Sequence, residues 1–272
     1  MKNLVRIRRV AYCLAAGCVI AAGMQPAYAG RSCEAKVLNV DTFQQGMDLA
    51  HRTTQALDAQ HAQHGNKVVL LARAGQGLSR YGLKYSHLGW AYEKPLGPWC
   101  VAHQLNECGT AQGHIDRQGV GEFFLYDLWR PVAAVQVPNP QLQQALWTFL
   151  TQSDTVLRMQ HKPYSMVSYA GSQRYQQSNQ WAIESLAAAM ETVEIQRREQ
   201  APAWLQFKGY EPSALTVRSW TRLGGRITAA NIAFDDHPNK KRFASRIETV
   251  TVDSVSQWLQ RKGMADALFT IE

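Results

Sequence analysis

The sequence predicts an α+β fold: a small antiparallel sheet with packed helices, extended at the C-terminal end by a further α/β segment. Two observations carry this. Short β-rich runs follow one another as hairpins after residue 67, and helical patterns gather in blocks apart from them, rather than alternating with strands as a doubly wound parallel sheet requires.

Residues 42–62 read as a helix, with Phe43, Met47, Ala50, Leu57 and Ala62 as a rough apolar stripe and Asp41 or Thr42 available as cap. "KVVLLARAG" is a β-rich run, "QGLSRYG" a loop, "LKYSHLGWAYE" a second strand, and the "KPLGPW" turn leads to a third, "CVAHQLN". Residues 107–121 are polar and Gly-rich and read as a long exposed loop. "EFFLYDL" is a short apolar element of either kind, and "PVAAVQV" a clearer strand. In "PNPQLQQALWTFL", Asn139 as cap and Pro140 in the first turn mark a helix start. "HKPYSMVSYAGSQRYQQ" has no clear period. "SNQWAIESLAAAMET" then carries Ile183, Leu186, Ala187 and Met190 at helical spacing, which puts Ser178 at or just before a helix N-terminus. In the last third, "PAWLQFKGY" reads as helix, "TAANIAF" and "RIETVTV" as strands, and Asp253 as the cap of a helix through "SVSQWLQRKG".

Lys2, Arg6, Arg8 and Arg9 precede an apolar run from Val10 to about Met24, and "AYA" precedes Gly30. This is the pattern of a secretory signal peptide cleaved after Ala29, which implies a periplasmic or secreted protein. "LAAGC" ending at Cys18 is the rival lipoprotein site; Ala15 in place of a larger aliphatic, and apolar sequence beyond Cys18, favour the cut at Ala29. No later stretch is long and apolar enough for a spanning helix, so stable membrane insertion is not expected after signal removal. Loss of residues 1–29 removes four basic and no acidic residues, so the formal charge of +8 falls to +4. Lys240, Lys241 and Arg242 are the one short basic cluster, too little for a nucleic-acid face and explained by a solvated loop. The remaining cysteines, Cys33, Cys100 and Cys108, form an odd set in an oxidising compartment, suggesting one disulfide and one spare thiol. Spacing does not choose the pair; Cys33 with Cys108, tying the mature N-terminus to the loop after "HQLN", is the preferred pairing.

"KYSHLGW", followed much later by "KPYSMVSYAGSQRYQQSNQW", resembles the circularly permuted branch of the NlpC-type, papain-like cysteine hydrolases. The chain also resembles, through "YSHLGW", "HQLN", "YQQSNQW" and "ANIAFDDHP", a bacterial secreted family known as domain of unknown function 2145. The first resemblance implies a permuted papain-like core over residues 67–195, between an N-terminal helical segment at 30–66 and a C-terminal extension at 196–272. It also implies a catalytic role for His87, an orienting role on the next strand for His103, and the nucleophile's position for Ser178. The chain departs from the pattern here. The family's cysteine forms a thiolate–imidazolium pair, whereas a serine must lose its proton during attack and so needs tighter geometry and a good oxyanion site.

Each residue also has an ordinary reading. Ser178 is what helix capping alone selects, and His103 suits a half-buried strand histidine bonded to backbone. Asn179 and Gln180 supply amides either to a ligand or to the helix start. Trp90 and Trp181 belong to an aromatic set that lines grooves or fills cores. Asp236 and His237 in "FDDHPN" border the groove or simply make a polar turn; no HExxH or paired CxxC spacing points to a metal, and no cofactor is expected. The functions that follow are a hydrolase or acyl transferase acting on amide or ester bonds of envelope material, and a non-catalytic relative that binds a muropeptide or acyl chain. The partner is then an envelope small molecule, peptide or lipid. The sequence fixes no oligomeric state.

Overall fold

The computed structural model describes residues 39–95, 97–125, 128–217 and 231–272. Helix α1 (Val40–His64) is capped by Asn39, whose side chain accepts from the Thr42 N–H at 2.7 Å, rather than by Asp41 or Thr42. It ends at Gly65, in the left-handed region at φ 68°, where a residue without a β-carbon carries no steric penalty. Its inward stripe is shifted from the expected one: Leu49, Ala50, Thr53 and Leu57 are buried, while Phe43 and Met47 are exposed.

The centre is a six-stranded antiparallel sheet in the order β4-β3-β2-β1-β5-β8, formed by β1 (Val68–Arg73), β2 (His87–Glu93), β3 (Trp99–Asn106), β4 (Gly113–Gly119), β5 (Ala133–Gln136) and β8 (Phe269–Ile271). Alternation along the strands sends Val69, Leu71, Ala91 and Val101 to one face, against Leu49 and Leu57 of α1 and Phe123 and Phe124 of α2 (Val120–Leu125). Leu70, Trp90 and Ala102 face the other way, against α3 (Pro140–Thr151), α5 (Ser178–Met190) and α8 (Val252–Arg261). A second, two-stranded sheet pairs β6 (Ser213–Thr216) with β7 (Arg246–Thr249). Three short helices complete the described chain: α4 (Ser153–Arg158), α6 (Ala201–Phe207) and α7 (Asn239–Phe243).

The α+β class holds, and the C-terminal part supplies β8 to the central sheet and Val255, Trp258 and Leu259 to its core. Several expectations need correction. Residues 113–119 form edge strand β4, not loop: an edge strand keeps one side in solvent, so "GHIDRQG" is polar enough to read as loop. Residues 231–234 of "TAANIAF" are not strand, and the rest of that run lies outside the described residues. Helix α8 is capped by Thr251, which accepts from Ser254 N at 3.1 Å, with Asp253 inside the first turn. Lys240, Lys241 and Arg242 lie on α7, where Lys241 pairs with Glu248. Residues 1–38, including the signal-like segment and Cys33, lie outside the described residues. Cys100 is a buried free thiol and Cys108 is disulfide-bonded, so the Cys33–Cys108 pairing stands as an expectation. Among the described residues no helix is long and apolar enough to cross a membrane.

A buried ion pair ties α5 to the segments on either side of it. Glu184, on the second turn of α5 and fully buried, accepts from Arg198 Nε at 2.9 Å, Arg198 Nη2 at 3.2 Å and Gln180 Nε2 at 2.9 Å, and also from Gln176. Arg198 in turn donates to the Ser172 and Tyr175 carbonyls. Burial pushes the Glu184 carboxyl up, against the pull of Arg198 and the amides.

Candidate functional site

The first residue of β2 is His87, paired across the sheet with Arg73 of β1. Its Nε2 lies 2.8 Å from Nδ1 of His103 on β3, and His103 Nε2 lies 2.9 Å from Gln118 Oε1 on β4. Both rings pack on Phe123, at centroid distances of 5.8 and 5.2 Å. Gly89 makes this approach possible: a β-carbon there would lie 2.8 Å from Val101 Cγ1 and 3.0 Å from His103 Cβ. The small residue in "SHLGW" is therefore required by the closeness of β3. Arg73 is buried beside the pair, its guanidinium 4.6 Å from the Phe123 ring centroid and bonded to the Phe123 carbonyl.

Burial, then the Arg73 charge, then His103 hold His87 well below the usual histidine range. Burial and Arg73 bring His103 down to about 3, against its hydrogen bond to the Gln118 oxygen, with a smaller lowering from His114. Both rings are neutral at pH 7. Each then carries one N–H and one bare nitrogen.

Ser178 is the first residue of α5, with Gln177 as the cap accepting from Asn179 N at 2.9 Å. The Ser178 hydroxyl bonds the Tyr164 hydroxyl at 3.1 Å, whereas the side-chain hydrogen bond of His87 is to His103. The sheet explains the missing contact. His87 aligns with Leu71, Gly89 and Val101 on the α1 side, while α5 packs on the opposite face, where Trp90 Nε1 donates to the Ala182 carbonyl at 2.9 Å. His87 and Ser178 meet only as lining residues of one cavity at the ends of the strands.

That cavity has a volume of about 680 Å³. At its polar end stand His87, Tyr164, Gln177, Ser178, Asn179 and Asn231. Its other wall is apolar, formed by Leu78, Tyr81 and Leu83 of the β1–β2 connection and by Leu215, Ile232 and Ile247 of the C-terminal part. Val217, Phe234 and Ile247 line the cavity too and form a small core with the other wall residues Tyr81, Leu215 and Ile232.

Asn179 lines the cavity and also ties strand to helix: its Oδ1 accepts from Leu88 N at 3.0 Å and its Nδ2 donates to the Ser86 carbonyl at 3.3 Å. Gln180 does not line it; it is buried between Glu184 and Ser168. Trp90 and Trp181 are fully buried core residues on the α5 face. Asp236 and His237 form an internally bonded turn: Asp236 Oδ1 lies 2.9 Å from His237 Nδ1, and Oδ2 accepts from Tyr169 N at 2.8 Å. Among the described residues no cluster of His, Cys, Asp or Glu is arranged to hold a metal.

Sequence reasoning missed Gln118 and the apolar wall. The alternation of His114, Asp116 and Gln118 was the available signal for a strand carrying Gln118 towards His103. The wall residues come from segments more than a hundred positions apart and left no local signature.

Fold and site together define a sheet-and-helix protein with a neutral histidine pair at the polar end of a partly apolar groove. The chain belongs to the bacterial family described as "Uncharacterized protein conserved in bacteria (DUF2145)", whose model matches residues 60–259. No curated protein and no solved structure matches the chain.

Proposed function

We propose that this is a periplasmic or secreted protein that binds an acylated envelope molecule, with the chain along the apolar wall and the polar head at His87 and Ser178. The observation that carries this is the division of one cavity, of a size usual for small-molecule sites, into an apolar wall and an end of hydrogen-bonding groups, with Arg73 and Arg80 also on the lining. The Ser178–Tyr164 bond supports binding over chemistry, because the side-chain partner of Ser178 is Tyr164 rather than His87.

The test is titration of the folded protein with the primary amide of cis-parinaric acid, a neutral fluorescent acyl probe. Saturable binding is expected, lost in Ile247→Asp, which puts a charge in the wall. Absence of saturable binding to the wild type would sink the reading.

A second reading keeps the permuted papain-like resemblance in full, as a serine-variant hydrolase or acyl transferase. It is favoured by a neutral, oriented His87 on the same cavity as a helix N-terminus that suits developing negative charge. It expects a fluorophosphonate to label Ser178, with labelling lost in Ser178→Ala and lowered roughly 10²–10⁴-fold in His87→Ala. A folded wild type that takes no label rules it out.

A further inference from the structure

A neutral histidine donates from one nitrogen and accepts at the other, so a pair of them has two possible directions. The His87–His103 contact alone does not choose between them. Nor does the next group, since an amide presents either its oxygen or its NH2. The choice is made one step further on. Gln118 Nε2 lies 3.2 Å from Glu122 Oε1, and a carboxylate only accepts, so the Gln118 NH2 points to Glu122 and its oxygen to His103. His103 must then carry its proton on Nε2 and accept at Nδ1, and His87 must donate from Nε2. This leaves Nδ1 of His87, which has no partner among the described residues, as a bare acceptor on the cavity lining.

We propose that Gln118 and Glu122 are positioning residues that fix the tautomers of both histidines, so that the groove selects an acylated ligand whose head carries an N–H or O–H donor. The ligand half of this rests on the acyl-binding reading above; the tautomer half does not. Burial and the Arg73 charge support it by keeping both rings unprotonated. The charged and titratable groups around the pair are Arg73 on β1, His114 and Asp116 on β4 and Glu122 on α2. The ligand class follows from the unpaired-group rule: a head that only accepts would face the His87 lone pair with one of its own, and both would lose their water.

The first measurement is ¹⁵N NMR of histidine-labelled protein at pH 7, with His87→Ala and His103→Ala for assignment. The expected spectrum has both rings protonated on Nε2, with both Nδ1 resonances far downfield. Gln118→Leu is expected to release the His103 tautomer, and Gln118→Glu, which keeps an acceptor, to retain it. A wild type with His87 protonated on Nδ1 overturns the proposal without any variant, and so does an unchanged tautomer in folded Gln118→Leu.

The second measurement compares dodecanamide, which has a donor, with methyl dodecanoate, which has none, by displacement of the fluorescent acyl amide. The amide is expected to bind roughly three- to tenfold more tightly, and the ratio to fall towards one in His87→Phe. Equal binding overturns the selectivity. If neither displaces a bound probe, or no probe binds, the ligand half falls with the acyl-binding reading, and the NMR result still decides the tautomers.

Discussion

Between pH 6.5 and about 3 the protein is expected to lose stability steadily, because His103 stays unprotonated in the folded chain down to about 3 while an unfolded histidine takes its proton near 6.5. In that window the unfolded state binds more protons than the folded state, so stability rises with pH, is complete above about 6.5 and is lost on acidification. His87, lowered by burial and Arg73, adds in the same sense. For His103 alone the full effect is on the order of 5 kcal/mol, a large fraction of the stability of a typical domain. Glu184 and Asp253, both raised by burial, act in the opposite direction. The informative quantity is therefore a difference: urea unfolding at pH 7, 5 and 4 should show a markedly flatter pH dependence in His103→Gln than in the wild type. Parallel curves would refute the assignment.

The other large effect is expected at the buried ion pair. Arg198→Ala should destabilise the protein by about 3–5 kcal/mol, because it strands Glu184 in the core without its cation. Replacing both partners, as in Glu184→Gln with Arg198→Met, should recover much of the loss, since the charge that needed solvation is gone. Urea midpoints of the two variants measure this directly, and a single substitution costing less than about 1 kcal/mol would contradict it. The pair also bears on the groove. Glu184 and Gln180 hold α5 against Gln176 and Ser168 in the segment before it, and so set where Ser178 and Tyr164 stand.

The strands of the sheet core were legible because they obey local rules. "KVVLLARAG", "LKYSHLGWAYE" and "CVAHQLN" combine β-branched or aromatic content with turn residues between them, and each contains a strand, the second starting only at His87. Helix α3 was legible from Asn139 and Pro140. Strand β4 was not, since an edge strand with a solvated side carries little apolar signal. Strand β8 was not either: three residues at the C-terminus become strand only because β5 offers them an edge.

For the site, the sequence by itself put "SHLGW" and "VAHQL" on consecutive strands of one hairpin, paired His87 with His103 only through the family resemblance, and put Ser178 at or just before a helix start. What only the tertiary structure decided is the company these residues keep. Strand alternation turns His87 to the face opposite α5, Tyr164 takes the Ser178 hydroxyl, and Trp90, Gln180 and Trp181 go into the core. Segments near residues 80, 215, 232 and 247 converge into one apolar wall. The physical reason is one of range. Hairpin register and helix starts are settled by neighbours a few residues away, whereas the face a side chain occupies and the wall it meets depend on how distant elements pack.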